Sequence, residues 1–314
     1  MASRILGYNE EEVIELSLHQ FLNERPRGYN YWLDLWDGAG DELEALDKAL
    51  HLHHLAIEDA THGGHRPKVE DYGSHLFIIV NALVIESEKV KKSQASFFLG
   101  KDYVISVHKA EVNLEPVAER IRQKKPKILH SDASFLFYSL LDQVVDDYVP
   151  ALEKLNERVV ELEELAVNDY SKETLKKLFK FKRELYELER GMWPMEETLV
   201  NVVKAEYDEI SSKTLPYFRD VQDHVIRDLE LIEMYREVNN RAMEGYLLAN
   251  ANATNDVMKV LTVAVSITMV PNLLASIGGM NFPGLPEINF WYIMVTMALL
   301  TTLTYYWFKR VGWI

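Results

Sequence analysis

Asn255, Met258, Leu261, Val265, Met269, Asn272 and Ser276 follow one another at spacings of three or four residues, which places all of them on one face of a helix. Around them the chain is apolar, and carboxamides are costly in a lipid environment unless they face a bundle interior or a water-filled path. Such a stripe has two readings. It can be interhelical hydrogen-bonding glue. It can also line a pore, where polar rings hold hydrated ions and apolar rings gate by dewetting.

The stripe must be carried by a membrane segment. Between Lys259 and Lys309 the only formal charge is Glu287. Two apolar runs lie there, about Val257–Ile277 and Ile288–Phe308. Each suits a helix crossing a hydrocarbon core of about 30 Å, which needs roughly 20 residues. Lys259 precedes the first span, Lys309 and Arg310 follow the second, and the loop Gly278–Asn289 has no Lys or Arg. The positive-inside rule then puts both termini in the cytoplasm of an inner (plasma) membrane protein. Tyr292, Tyr305, Tyr306 and Trp307 stand near the ends of the second span, as interface anchors do. Met1–Glu12 has no apolar run, so no signal peptide is expected. Two spans cannot enclose a pore, so a pore requires an oligomer, with cyclic symmetry expected.

The rest is an acidic body. The 314 residues carry a formal net charge of -15; residues 257–314 contribute +2 and the first 256 therefore -17. This excess argues against nucleic-acid binding. The absence of cysteine excludes disulfides, thiolate metal sites and cysteine nucleophiles. No phosphate loop of the G-x-x-x-x-G-K-[ST] type, no G-x-S-x-G elbow and no H-E-x-x-H occurs, which argues against an ATP-driven pump or a hydrolase. His51, His53, His54, His62 and His65 have no metal-ligand spacing and read as a solvated segment.

Residues 1–130 read as an α/β cytoplasmic domain, with strands at Tyr31–Trp36 and Leu76–Ile85 and a hairpin of Ser93–Leu99 and Asp102–His108 about Gly100-Lys101. Helical spacing marks Asp41–Leu52 and Asn113–Gln123. Residues 131–215 read as a long helical hairpin: Ser131–Val167 kinked at Pro150, then Lys172–Tyr207 interrupted by Pro194. Residues 216–278 form a stalk that continues as the first span; Tyr217–Ile277 as one helix would be about 92 Å long. Then come the loop 279–289, the second span 290–308 and the tail 309–314. The fold class is α+β, followed by long helices and two C-terminal transmembrane helices.

Gly279-Met280-Asn281 ends the penultimate span, before an acidic short loop and one last span. In that position it resembles the CorA family of magnesium channels. His65-Arg66-Pro67-Lys68-Val69-Glu70, Pro216-Tyr217-Phe218-Arg219-Asp220-Val221 and Asn255-Asp256-Val257-Met258-Lys259-Val260-Leu261-Thr262 resemble further family stretches. The resemblance implies a funnel-shaped homopentamer in the lipid bilayer whose first spans line the pore. It implies a selectivity entrance of Gly279, Met280 and Asn281, with Asn281 receiving hydrated Mg²⁺, and inner rings at Asn272, Met269, Leu261, Met258 and Asn255. It also implies a regulatory divalent site between subunits, with one acid at Asp220 and its partner near Glu86. Glu287 would draw cations to the mouth. The cargo implied is Mg²⁺, with Co²⁺ or Ni²⁺ as further candidates. The chain departs from the family at Gly278, where an aromatic is usual, and lacks its terminal lysine run. Two other readings stay open: a zinc transporter of the related ZntB type, and a two-span divalent-cation sensor with no flux.

Overall fold

The computed structural model describes residues 2–38, 40–280 and 289–314. The chain forms two compact units: Met1–Leu165 with Lys176–Arg241, and Ala166–Leu175 with Ala242–Ile314.

The first unit is built on a seven-stranded sheet of β1 (Ala2–Tyr8), β2 (Val13–Leu16), β3 (Asn30–Trp36), β4 (Lys68–Asp71), β5 (Leu76–Glu86), β6 (Lys89–Leu99) and β7 (Tyr103–His108), in the order β2-β1-β3-β7-β6-β5-β4. Every neighbouring pair is antiparallel except β3 and β7. Both faces are covered. Tyr31, Leu33 and Leu35 of β3 join Tyr103, Ile105 and Val107 of β7 in a core with Phe21 of α1 (Leu18–Glu24), Leu43 and Leu46 of α2 (Gly40–Leu50) and Ala56 of α3 (His54–His62). The alternate β3 residues Trp32 and Asp34 are buried on the other face. Packed between two layers, β3 is buried almost throughout, which is why its sequence does not alternate.

That second face holds a polar network. Asp34, 1% exposed, accepts from Arg4 Nη2 at 2.7 Å and from Ser106 Oγ at 2.5 Å, and pairs with His108 Nε2 at 2.9 Å. Trp32 Nε1 donates to Ser106 Oγ at 2.9 Å. Arg4 also lies over the Trp32 ring at 4.7 Å and reaches Glu115 on α4 (Glu115–Arg122). Burial alone pulls the His108 pKa down, but the hydrogen bond and charge of Asp34, with the Lys109 carbonyl, outweigh it and the net shift is upward. The imidazolium is therefore the form the fold prefers. Its contribution to stability is complete below the ordinary value of 6.5 and is lost as pH rises through the higher folded value. The melting temperature is expected to fall between about pH 6 and about pH 8, and His108→Gln to flatten that slope. An unchanged slope in the variant, followed by circular dichroism, would contradict this role.

The helices after the sheet differ from the sequence expectation in two places. After α5 (Pro126–Leu129), α6 (Ala133–Asp146) ends at Asp147 and α7 (Tyr148–Asn168) begins there, so the break precedes Pro150. Pro150 sits in the first turn of α7, whose amides have no intrahelical acceptor, and costs little there. Conversely, α8 (Lys172–Lys204) runs unbroken through Pro194. Leu185, Leu188, Met192, Met195 and Leu199 are buried on both sides of the proline, and this stripe holds the helix together.

Leu215–Gly278, 64 residues, is one helix, α9. In the first unit it buries Phe218, Val221, Val225, Ile232 and Tyr235. Asp228 and Asn239 share that buried side, whereas Leu229 and Val238 are only half-buried. In the second unit the Tyr246 hydroxyl donates to the Tyr170 and Ser171 carbonyls at 3.0 Å. The last helix, α10 (Phe290–Val311), is capped by the Asn289 side chain at its start and by left-handed Gly312 at its end. All four of its threonine hydroxyls donate to the carbonyl four residues earlier: Thr296 to Tyr292, Thr301 to Met297, Thr302 to Ala298 and Thr304 to Leu300.

Candidate ion pathway

Among the described residues, α9 is the helix that is long and apolar enough to cross a membrane, and almost none of its apolar stretch is buried. Its packed side is set by Val263, Ser266, Val270 and Leu274. Val270 and Leu274 share a groove with Leu300, Thr304 and Phe308 of α10. Asn255, Met258, Leu261, Val265, Met269, Asn272 and Ser276 lie round the helix from Val263, and all seven are exposed. Leu273 and Ile277 are exposed as well, so the free surface is broader than the stripe. Between Asn255 and Asn272 the stripe is apolar over about 25 Å at 1.5 Å per residue.

Pro271 lies inside α9, one residue before Asn272. It has no N–H, so the Ile267 carbonyl loses its helical donor next to the inner carboxamide. Oxygen acceptors of two kinds therefore lie near one level of the helix.

The helix persists through Gly278. A Cβ there would meet Ile293 Cδ1 of α10 at 3.3 Å, so glycine lets the two helices approach, and a bulky side chain would have to displace Ile293. The end is closed by the Gly279 amide to Ala275 at 3.0 Å and the Met280 amide to Ile277 at 3.2 Å. Met280 is half exposed. Asn281 and Glu287 lie outside the described residues.

The acids of the first unit are arranged around the head of α9. Tyr217 packs on Phe135 and Tyr138, and Phe218 on Phe137, which fixes the helix start against α6. Asp220 is exposed, and its Oδ1 is 3.9 Å from His224 Nε2. Burial first, and then the charges of Asp142, Asp220 and Asp146, push the Tyr138 hydroxyl above its ordinary value. Burial first, and then the neighbouring Asp146 charge, push the Asp142 carboxyl above its ordinary value. Arg120 and His224 offset part of that repulsion at Asp142, and His224 also stands beside Asp220. The sequence reading named Asp220 and did not name Asp142. Its signal is the Tyr138–Asp142 spacing of four on an otherwise buried helix.

Glu86 stands elsewhere, at the end of the β5–β6 hairpin opposite Lys89. It is exposed and ion-paired with Lys91, whose hydrogen bond and charge hold its carboxyl below the ordinary range. Of the histidine cluster, His53 stacks on Tyr72 at 4.2 Å and on His54 at 4.6 Å. No group of three or more His, Asp or Glu with metal-holding geometry is found among the described residues.

Residues 28–310 match the family described as CorA-like Mg²⁺ transporter protein. The chain is 32% identical over 281 residues to the cobalt/magnesium transport protein CorA of Thermotoga maritima, covering 87% of this chain and 80% of that one. The complete structure of the CorA magnesium transporter from Methanocaldococcus jannaschii superposes with a TM-score of 0.88 at 23% identity, covering 100% of this chain and 99% of that chain. The cytoplasmic domain of ZntB from Vibrio parahaemolyticus shares the fold at a TM-score of 0.63 and 14% identity, over 81% of this chain and 100% of that one.

Proposed function

Since the chain belongs to the CorA-like Mg²⁺ transporter family, we propose that it conducts Mg²⁺, and Co²⁺ as a second cargo, across a membrane through a path lined by the exposed stripe of α9. The observation that carries this reading is that all seven stripe residues are exposed along α9, Met269 standing at the edge of the groove shared with α10. A face left free by its own chain is available to copies of itself, and a ring of copies encloses what one helix cannot. Mg²⁺ gives up its water reluctantly, so neutral carboxamide oxygens suit it: they bind the hydrated ion without trapping it. In this reading α10 forms the outer layer, both termini face the cytoplasm, and Gly279, Met280, Asn281 and Glu287 stand at the outer mouth. The assembly is a homopentamer.

Internal control is assigned to Asp220 together with Asp142. Glu86 is ion-paired with Lys91 in the single chain, whereas burial and then the Asp146 charge raise the Asp142 pKa. A divalent cation at this face relieves that repulsion, and carboxylate oxygens are its natural ligands. If the ion binds only the closed arrangement, it stabilises that arrangement. Liposome uptake with a fluorescent Mg²⁺ reporter tests the whole reading, and no flux down a gradient at low internal Mg²⁺ would sink it in favour of a sensor without flux. Asp142→Asn with Asp220→Asn is expected to raise the internal Mg²⁺ needed for half-inhibition by about tenfold or more. Because the Asp142 pKa is raised, protons should compete from a pH above its ordinary value of 3.8, so acidification weakens inhibition in the native protein and less so in the variant. Equal inhibition in both would remove these acids from control.

A further inference from the structure

The β5–β6 hairpin extends beyond the sheet. β5 and β6 stay paired out to Glu86 and Lys89, but β7 ends at His108, opposite Ala95. Past that point no strand covers β6 among the described residues, and a cleft of about 800 Å³ opens there. It lies at the carboxyl ends of β3 and β7, the one parallel pair in the sheet. In open α/β sheets that end is where ligands bind, because the loops leaving the strands diverge there.

The lining has the composition of a phosphate site. Gly38, Gly40, Gly63 and Gly64 all face the cleft, and a Cβ on any of them would meet nothing within 4 Å. Gly38, Gly63 and Gly64 have φ of 99°, 58° and 84°, backbone conformations that favour glycine. The second loop is pinned, because the His65 amide donates to Gln94 Oε1 at 2.9 Å and Gln94 Nε2 donates to the Asp59 carbonyl at 2.8 Å. Lys109 supplies an exposed ammonium group, and Lys91 supplies a second that is ion-paired with Glu86 across the same lining. Ser93 also lines the cleft; it is only 6% exposed, and its Oγ is buried without a hydrogen-bond partner. A hydroxyl left in that state costs free energy unless something arrives to bond it.

Three carboxylates, Asp37, Glu86 and Glu111, stand in the same lining. They would repel a bare polyanion, and Asp41 and Glu42 already offset the dipole of α2. An anion that brings its own cation meets both signs of charge. We propose that the cleft binds a polyphosphate chelated to a divalent cation, with the phosphates on the glycine amides, Ser93, Lys91 and Lys109, and the cation towards the carboxylates. The volume is ample for a ligand of nucleotide size.

The test is calorimetric titration of the full-length protein in detergent with four probes: adenosine triphosphate plus Mg²⁺, pyrophosphate plus Mg²⁺, adenosine triphosphate plus EDTA, and Mg²⁺ alone. Binding of the first or second supports the proposal. The tighter of the two says whether the source is a nucleotide or an inorganic polyphosphate. The EDTA arm should be weaker by about tenfold or more; equal binding overturns the chelate assignment. Lys91→Gln with Lys109→Gln should weaken the chelate by about tenfold or more, with the Mg²⁺-alone titration unchanged. Heat from Mg²⁺ alone and from no polyphosphate overturns the proposal, as does wild-type chelate affinity in the double variant. Neither result bears on transport, which the flux assay decides separately.

Discussion

Asn272→Leu is expected to cut Mg²⁺ uptake into liposomes by at least about tenfold, equivalent to roughly 1.4 kcal/mol or more on the rate-limiting barrier. The reason lies in the neighbours along the stripe. Leu261, Val265 and Met269 are already apolar, and Asn272 is the next residue on that face. Leucine there extends the apolar stretch to Ser276 and removes the carboxamide from beside the Ile267 carbonyl that Pro271 leaves without its helical donor. A hydrated ion would cross a longer dry segment, and dewetting steepens the barrier. Asn272→Gln keeps the carboxamide and should retain much of the flux. Size-exclusion profiles should match the native protein for both variants. Native flux in Asn272→Leu would show that this face does not line the path.

Asp34→Ala is expected to cost about 3–5 kcal/mol, the range for breaking a buried ion pair by removing one partner. Asp34 is the hub of the network, because Arg4, Ser106 and His108 all bond to it. Its loss leaves an imidazole that is 5% exposed without its counter-charge and a guanidinium that is 10% exposed with Glu115 as its remaining partner. Guanidinium unfolding, or a fall in melting temperature of the order of 10 °C for a unit of this size, measures it. A cost under about 1 kcal/mol would mean that water screens the network as it does a surface pair. The same substitution should remove most of the pH slope assigned to His108.

The parts that were legible in the sequence are those with long, regular signals. Spacing of three and four residues revealed α8 and α9, and the lack of charge marked the apolar end of α9 and all of α10 up to Lys309. Gly100-Lys101 announced the β6–β7 hairpin. The β5–β6 turn went unseen because Ser87 and Glu88 make it with φ of 48° and 66°, left-handed values that neither residue type advertises. The first two strands were also missed: β2 has only four residues, and β1 owes part of its fit to Gly7, where a Cβ would come within 2.8 Å of the Tyr31 ring. Tertiary packing, which a linear pattern does not contain, decided both. For the site, one face of one helix could be read off, because a helix turns spacing into direction. Pairings between acids and bases were not legible, since nothing in the sequence shows that Lys91 closes on Glu86.

The threonines of α10 bear on how a helix is priced by its surroundings. Composition counts four hydroxyls as polar and lowers the apparent fitness of α10 for hydrocarbon. Each of them is turned back onto a carbonyl of its own helix. In a solvent that offers no hydrogen bonds, a donor satisfied within the segment carries little transfer penalty. Chain ends of the lipid would touch a surface close to that of a valine-bearing helix. The same shared carbonyls soften the helical ladder and allow a gentle bend. If α10 forms the outer layer, as proposed above, such a helix can be at home in oil and still yield sideways when the helix it leans on changes its tilt.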